Sequence, residues 1–311
     1  MPRLILRRLL YLALTMLAVS LALFLLFELS PETVAVDALG PYSLPEQRTL
    51  WLQQHGYFQP AYLRYFQWLG HVLTGDLGQS RVFNAPVAQV LLWRLGNSAI
   101  LAGAFFVVMV PTAIALGVLA GMREGSWLDR GITVLAVLTT SIPPFASVVL
   151  LTVVFVFWLH WLPGTSSGIQ GFAWRELVLP VLVLVLYDLG YVARKTRAPM
   201  VEVMAAPYIR TALLKGMPWR RVILRHALRN ALIPPFTIIM LQVNWLIGGV
   251  VVVEFFFAYK GFGSLLLDAS LNQDIFVIEA CAMVAVFVAV GTQTIADVGY
   301  ALLNPRIRYS R

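Results

Sequence analysis

Few side chains in this sequence have the types and spacing for covalent chemistry. The four histidines, His55, His71, His160 and His226, are scattered and lack metal-ligand spacing. Cys281 is the single cysteine, so the chain cannot close a disulfide on itself. A membrane-embedded enzyme would need a nucleophile with a base or a metal set, and no H-E-x-x-H is present. The chemistry that the sequence does concentrate is ionic. Between Glu202 and Pro235 stand Arg210, Lys215, Arg220, Arg221, Arg225 and Arg229, against the lone acid Glu202. Such a cluster can orient a chain across a membrane or pair with acidic groups on a partner.

The surroundings of that cluster are apolar. The chain has 311 residues, 59% hydrophobic and 12% charged, where a soluble domain carries about 25% charged residues. This composition predicts an integral membrane protein. The net charge of +8 does not point to nucleic acid, because the basic residues collect in short segments beside apolar runs.

A span needs about twenty mainly apolar residues. Six stretches are candidates: Leu9–Leu29, Ser98–Met122, Gly131–Trp161, Leu177–Val192, Pro234–Phe257 and Phe276–Leu303, the fourth of them short and holding Asp188. The first follows a basic start and is longer than a signal-peptide core, so it reads as an uncleaved span. The third is too long for one straight crossing, and Ser141-Ile142-Pro143-Pro144 is expected to kink or break it. With both ends inside, the inner segments hold 17 Lys and Arg and the outer ones six, nine of the inner 17 lying in residues 193–233. That bias predicts cytoplasmic termini.

The expected organisation is therefore a first helix over 1–29, an external segment over 30–97, and a five-helix core over 98–311 with a cytoplasmic loop at 193–233. The external segment is long for a connector. Glu46–Gln54 is helix-prone, and Pro60–Leu73 carries Tyr62, Tyr65, Phe66 and Trp68 at helical spacing. Short helices over the outer mouth, or an aromatic patch in the headgroup region, both fit. Polar residues at membrane depth mark candidate path positions, because they are costly against lipid. Thr140 and Ser141 near the kink, Gln242 and Asn244 in the fifth span, and Gln293 in the sixth are the candidates, with interhelical hydrogen bonding as the alternative. Gly117-x-x-x-Gly121 permits close helix packing or is a chance pair of small residues.

The basic loop has internal layout. Ala205, Ala206, Ala212, Leu213, Leu214 and Lys215 favour helix. Gly216 breaks it, as glycine does just past a helix end, and Pro218 suits the first turn of the next helix. Trp219–Leu232 resumes a helical pattern. A basic amphipathic helix on the anionic inner leaflet is one reading. A helix-turn-helix knob for docking a protein is the other.

These residues carry a resemblance. The loop resembles the coupling loop of binding-protein-dependent ABC importer permeases, in the dipeptide, oligopeptide and nickel branch. Tyr208–Ala212, Lys215–Gly216, Arg225–Leu232 and Pro234 fit the branch pattern YIRTA-x-x-KG then RHALRNAL-x-P. The family's general Glu-Ala-Ala triplet would fall on Arg210, Thr211 and Ala212, where only Ala212 matches. Gly75-Asp76-Leu77-Gly78-Gln79-Ser80, Trp161–Gly164, Glu254 with Tyr259, Gly261, Gly263 and Leu266, and Asn304–Tyr309 also look similar to the branch. Ser30-Pro31-Glu32-Thr33 departs from the Pro-Gly-Asp-Pro of many members.

The resemblance implies an all-α membrane protein of six transmembrane helices with the type I ABC importer permease fold, in a bacterial inner membrane. It implies no catalysis, metal or cofactor in this chain, which lacks a G-x-x-x-x-G-K-S/T phosphate loop. ATP and Mg would sit in two cytoplasmic ATPase partners. A second homologous permease and an external solute-binding protein would complete the machine. ATPase coupling would fall to Tyr208, Arg210, Thr211, Ala212, Lys215, Gly216, Arg220 and Arg221. The cargo would be peptide, or nickel or a metal chelate. An ion-coupled secondary transporter is a remote alternative, weakened by the absence of a convincing internal repeat.

Overall fold

A computed structural model describes residues 2–28, 31–166 and 173–303. The long apolar runs fold as helices, the form in which a backbone out of reach of water bonds to itself. The chain divides into two compact units: the residues up to Ser98 with Lys260–Gly291, and Ala99–Tyr259 with the residues from Thr292 onward.

The first unit holds helices Pro2–Glu28 (α1), Pro31–Leu39 (α2), Pro45–Gln54 (α3) and Ala61–Thr74 (α4). A two-stranded antiparallel hairpin comes next, Gln79–Ser80 (β1) with Ala85–Pro86 (β2), the one departure from an all-helical chain among the described residues. The aromatic stripe of α4 divides by helical face. Tyr65 is buried, shares a 2.9 Å hydrogen bond with Ser20 and meets Phe24 edge-on at 5.3 Å, while Tyr62 and Phe66 face outward. The Gly75–Ser80 element is pinned from a distance. Buried Asp274 accepts from the Ser80 hydroxyl at 2.6 Å and from the Val82 N–H at 3.2 Å. Phe262–Leu271 (α13) and the first turns of Ile275–Leu303 (α14) complete this unit.

The second unit contains most of Val87–Met122 (α5), then Trp127–Ser141 (α6), Pro144–Thr152 (α7) with a π-helical turn Val153–Trp158, and Trp174–Met204 (α8). Pro207–Leu214 (α9) is next, then a helical run made of Trp219–Arg221 (α10), a π-helical turn Val222–Ala227 and Leu228–Ala231 (α11). Ile233–Phe256 (α12) closes the unit's apolar core, where Leu101, Phe105, Met109, Leu184, Val253 and Phe257 are buried together.

Several boundaries differ from the sequence expectation. Among the described residues four helices are long and apolar enough to cross a membrane, or five if α6 and α7 form one broken span, where six were expected. The side chains of 244–245 and 247–249 in α12 lie outside the described residues, so its described apolar stretch is Ile233–Val243. The third stretch turns by 99° between Ser141 and Pro144, because Pro143 and Pro144 cannot donate to the preceding turn. The helix that contains the expected second span, Ser98–Met122, starts earlier, at Val87. The expected loop from 193 is helical as far as Met204, since Arg and Lys are good helix formers and their charges find partners here. The closing Asn304–Tyr309 motif and Ser30 lie outside the described residues.

Candidate functional site

The basic segment folds as a helical hairpin. Ala205 and Ala206, expected inside a helix, form the break between α8 and α9 instead. Pro207 forces Ala206 into an extended conformation (φ −68°, ψ 142°) and opens α9. The helix ends in a Schellman turn. The Gly216 N–H donates to the Leu213 carbonyl at 2.9 Å and the Met217 N–H to the Ala212 carbonyl at 3.3 Å, with Gly216 at φ +72°. Pro218 is extended (φ −61°, ψ 138°) and stands one residue before the next helix, not in its first turn. A hydrogen bond of 3.2 Å from Asn230 to the Tyr208 hydroxyl ties the two arms.

The inner faces of both arms are fixed. Ile209, Ala212, Val222, Ile223, Ala227 and Ala231 are buried together with Met200 of α8, and Val118 and Met122 of α5 pack against them. Ala212 thus supports the turn from beneath and does not lie on the outward surface. The outward surface carries Tyr208, Arg210, Thr211, Lys215, Gly216, Arg220 and Arg221, all exposed. Among these cations stand apolar side chains that the sequence did not single out: Leu214 is 80% exposed, Leu224 66%, and Trp219 about half. Exposed apolar groups ringed by charge have the composition of an interface core with a polar rim.

Below the hairpin, α8 is locked between two neighbours. On one face Gly117 and Gly121 of α5 approach it so closely that a Cβ at Gly117 would lie 2.5 Å from the Ala193 carbonyl and one at Gly121 2.7 Å from the Met200 Cβ. The small-residue pair is therefore a packing motif and not chance. On another face, at a spacing of four and three residues, Gly190, Arg194 and Arg197 meet α6. A Cβ at Gly190 would collide with the Ala136 carbonyl. Arg194 donates to Thr140 Oγ1 at 3.2 Å. Arg197 grips Asp129 with two bonds, Nε to Oδ1 at 2.5 Å and Nη2 to Oδ2 at 2.7 Å. Asp129 is buried and also accepts the Gly125 N–H at 2.9 Å, while Ser126 caps α6 through the Asp129 N–H. Forked pairing of this kind fixes orientation as well as distance. Sequence reading passed over this cap, although Ser126-x-x-Asp129 carries a local signal for it. The arginine partner of Asp129, 68 residues away, has no local signal at all.

Each candidate path residue whose side chain is described makes a hydrogen bond of its own. Thr140 bonds to the Ala136 carbonyl at 2.8 Å and receives Arg194. Ser141 is exposed and bonds to the Val137 carbonyl of its own helix. Gln242 is buried and donates to Asp188 Oδ1. Gln293 is exposed and reaches Asp297 one turn along α14, at 3.4 Å. The side chain of Asn244 lies outside the described residues. Thr140 and Gln242 bond to side chains of α8, Arg194 and Asp188.

Comparison with known proteins shows the family of this chain. Residues 113–309 match the family described as binding-protein-dependent transport system inner membrane component, and residues 1–91 match its N-terminal partner family. A putative peptide transport system permease protein of Brucella abortus (strain 2308) is 36% identical over 315 residues, covering 99% of this chain and 100% of the relative. The oligopeptide transport system permease protein AppB of Bacillus subtilis (strain 168) is 32% identical over 303 residues, covering 94% and 95%. The glutathione transport system permease protein GsiC of Salmonella typhi is 35% identical over 305 residues, covering 98% of each. The chain belongs to the family of inner-membrane permease components of binding-protein-dependent transport systems. It is accordingly a multi-pass inner-membrane permease of the ABC importer class.

Proposed function

We propose that this chain forms half of a peptide translocation path and receives the work of ATP hydrolysis through the hairpin around Gly216. The observation that carries the reading is the two-sided hairpin. Its inner faces are welded to α5 and α8, and its outer face offers Leu214, Leu224 and Trp219 among cations. A convex apolar tip with a basic rim suits a groove on an ATPase with acidic edges, the charges giving register and the apolar groups affinity. Two such ATPases would hold the ATP and Mg, a second homologous permease would supply the other half of the path, and an external solute-binding protein would deliver cargo. This chain would do no catalysis itself. The peptide cargo is supported by relatives named as peptide, oligopeptide and glutathione permeases.

In this reading α1, α5, the α6–α7 pair, α8, α12 and α14 are six crossings. With 24 residues, α12 is about 36 Å long, enough for a hydrocarbon core of about 30 Å. Both termini are cytoplasmic, and residues 30–97 are external, in keeping with the charge bias. Closure of the ATPases would push on α9, and α8 would carry the displacement as a rod. The Arg197–Asp129 fork would pass it to α6, whose far end is the corner at Ser141.

The test is a double variant, Leu214→Asp with Leu224→Asp, in the assembled transporter. Both side chains are exposed, so the chain should reach the membrane at normal abundance. ATPase subunits should no longer co-purify, and peptide uptake should be lost. Normal uptake with normal co-purification would sink the coupling assignment.

A further inference from the structure

The second unit carries an apolar cleft of about 640 Å³ between α5 and α12 that the coupling scheme leaves unused. Every side chain that lines it is apolar. From α12 come Leu232, just before its first turn, Phe236, Ile239 and Val243, spaced three or four residues apart on one face. From α5 come Val107, Pro111 and Ile114. Pro111 stands inside α5, and Pro235 at the foot of α12 also lines the cleft. A proline ring closes back on its own backbone, so these two positions send little side chain into the gap. The cleft is open at Val107, which is 74% exposed.

The length of the cleft and the charge at its end point to its occupant. From Leu232 to Val243 the helix rises about 16 Å, close to the depth of one leaflet's hydrocarbon, half of about 30 Å. A transmembrane helix of another subunit would need a seam through the whole span. Farther along α12, Leu246, Val250 and Val253 are buried in the unit's core with Leu101 and Phe105. At the Leu232 end α11 runs on into α12. The Leu232 N–H donates to the Leu228 carbonyl at 2.9 Å, and the Phe236 N–H donates to the Leu232 carbonyl at 3.0 Å. Arg229, three residues before Leu232, therefore extends the face that lines the cleft. It is exposed, and no group among the described residues pairs with its guanidinium. A side chain of this length lays its stem on apolar surface and keeps its charge at the level of the headgroups. We propose that the cleft holds one acyl chain of an anionic phospholipid of the cytoplasmic leaflet, with Arg229 on its phosphate. A guanidinium matches phosphate oxygens two at a time, and an anionic headgroup brings no ammonium to repel it. The assignment rests on the proposed crossing of α12 with Leu232 at its cytoplasmic end.

The test places a benzoylphenylalanine at position 107 of the assembled transporter, in nanodiscs of equal phosphatidylglycerol and phosphatidylethanolamine. After irradiation, the masses of the adducts give the ratio of the two lipids at the cleft. Phosphatidylglycerol should exceed phosphatidylethanolamine by about fivefold, the scale of one cation acting on an anionic lipid. Arg229→Gln should return the ratio to that of the bulk, and Arg229→Lys should keep most of the preference. The same probe at position 119, 44% exposed on α5 and outside the lining, should report the bulk ratio in every variant. A bulk ratio at position 107, a preference that survives Arg229→Gln, or an adduct to a protein chain in place of lipid would overturn the proposal. Orientation is checked separately by labelling Arg220→Cys with an impermeant maleimide. Labelling from the outside would defeat the orientation and the leaflet assignment with it. Labelling from the inside together with bulk-like adducts would defeat the cleft alone.

Discussion

The same backbone device ends two helices in this chain and leads to opposite surfaces. At α9 the turn runs through Gly216 at φ +72°, with bonds to Leu213 and Ala212. At α4 it runs through Gly75 at φ +85°, with the Gly75 N–H on the Val72 carbonyl at 3.1 Å and the Asp76 N–H on the His71 carbonyl at 2.9 Å. The residues just past each glycine differ. Met217 folds back onto the buried alanines and leaves a convex, basic, partly apolar tip. Asp76 is exposed, pairs with His71, and the chain turns to line a concave cavity of mixed charge. A convex surface offers itself to a groove, and a concave one does not. The turn does not set that role; the residues around it do.

That contrast can be broken at several strengths. The largest effect is expected at the convex tip. An apolar anchor at the centre of an interface costs about 2 kcal/mol or more when lost, roughly thirtyfold or more in affinity, so the double Asp variant at 214 and 224 should empty the transporter of ATPase. The packing beneath comes next. Gly190→Ala drives a methyl into a backbone carbonyl, and overpacking of this kind costs about 1–3 kcal/mol or more. It should lower the thermal midpoint and the membrane abundance together. Asp129→Asn removes the charge onto which Arg197 forks. Breaking a buried pair costs about 3–5 kcal/mol, and the 28% exposure of the Arg197 side chain puts this one at or below the lower end. Transport per ATP hydrolysed should fall in that variant more than ATP hydrolysis itself, with Arg197→Lys intermediate. The smallest stability effect belongs to the two turns. Space for a Cβ is open at both Gly216 and Gly75, so alanine there costs only the left-handed conformation, about 1–2 kcal/mol. Equal destabilisation is expected, with uptake impaired at 216 and retained at 75.

Much of the helical hairpin was legible in the sequence, because Gly216 and Pro218 punctuate the chain with local backbone rules. The bend at Pro143-Pro144 was legible for the same reason. What could not be read was which face of α9 turns inward. Apolar residues stand on both sides, Leu213 and Leu214 outward and Ile209 and Ala212 inward, so composition left Ala212 looking like a contact residue, and only the packing against Val222 and Met200 buries it. The length of α8 was underestimated because Arg194 and Arg197 look like loop cations until Thr140 and Asp129 are brought beside them. Glu279 was passed over although an acid in an apolar run carries its own signal. Its aromatic neighbour Trp68 lies 211 residues away, so no local pattern joins them.

The most direct test of the coupling hairpin is photocrosslinking from a benzoylphenylalanine at position 214 in the intact transporter in its native membrane. A crosslink to an ATPase subunit is expected, and none to a partner from the same group at buried position 209. A position-214 probe that captures only lipid, or only the external binding protein, would contradict the coupling role.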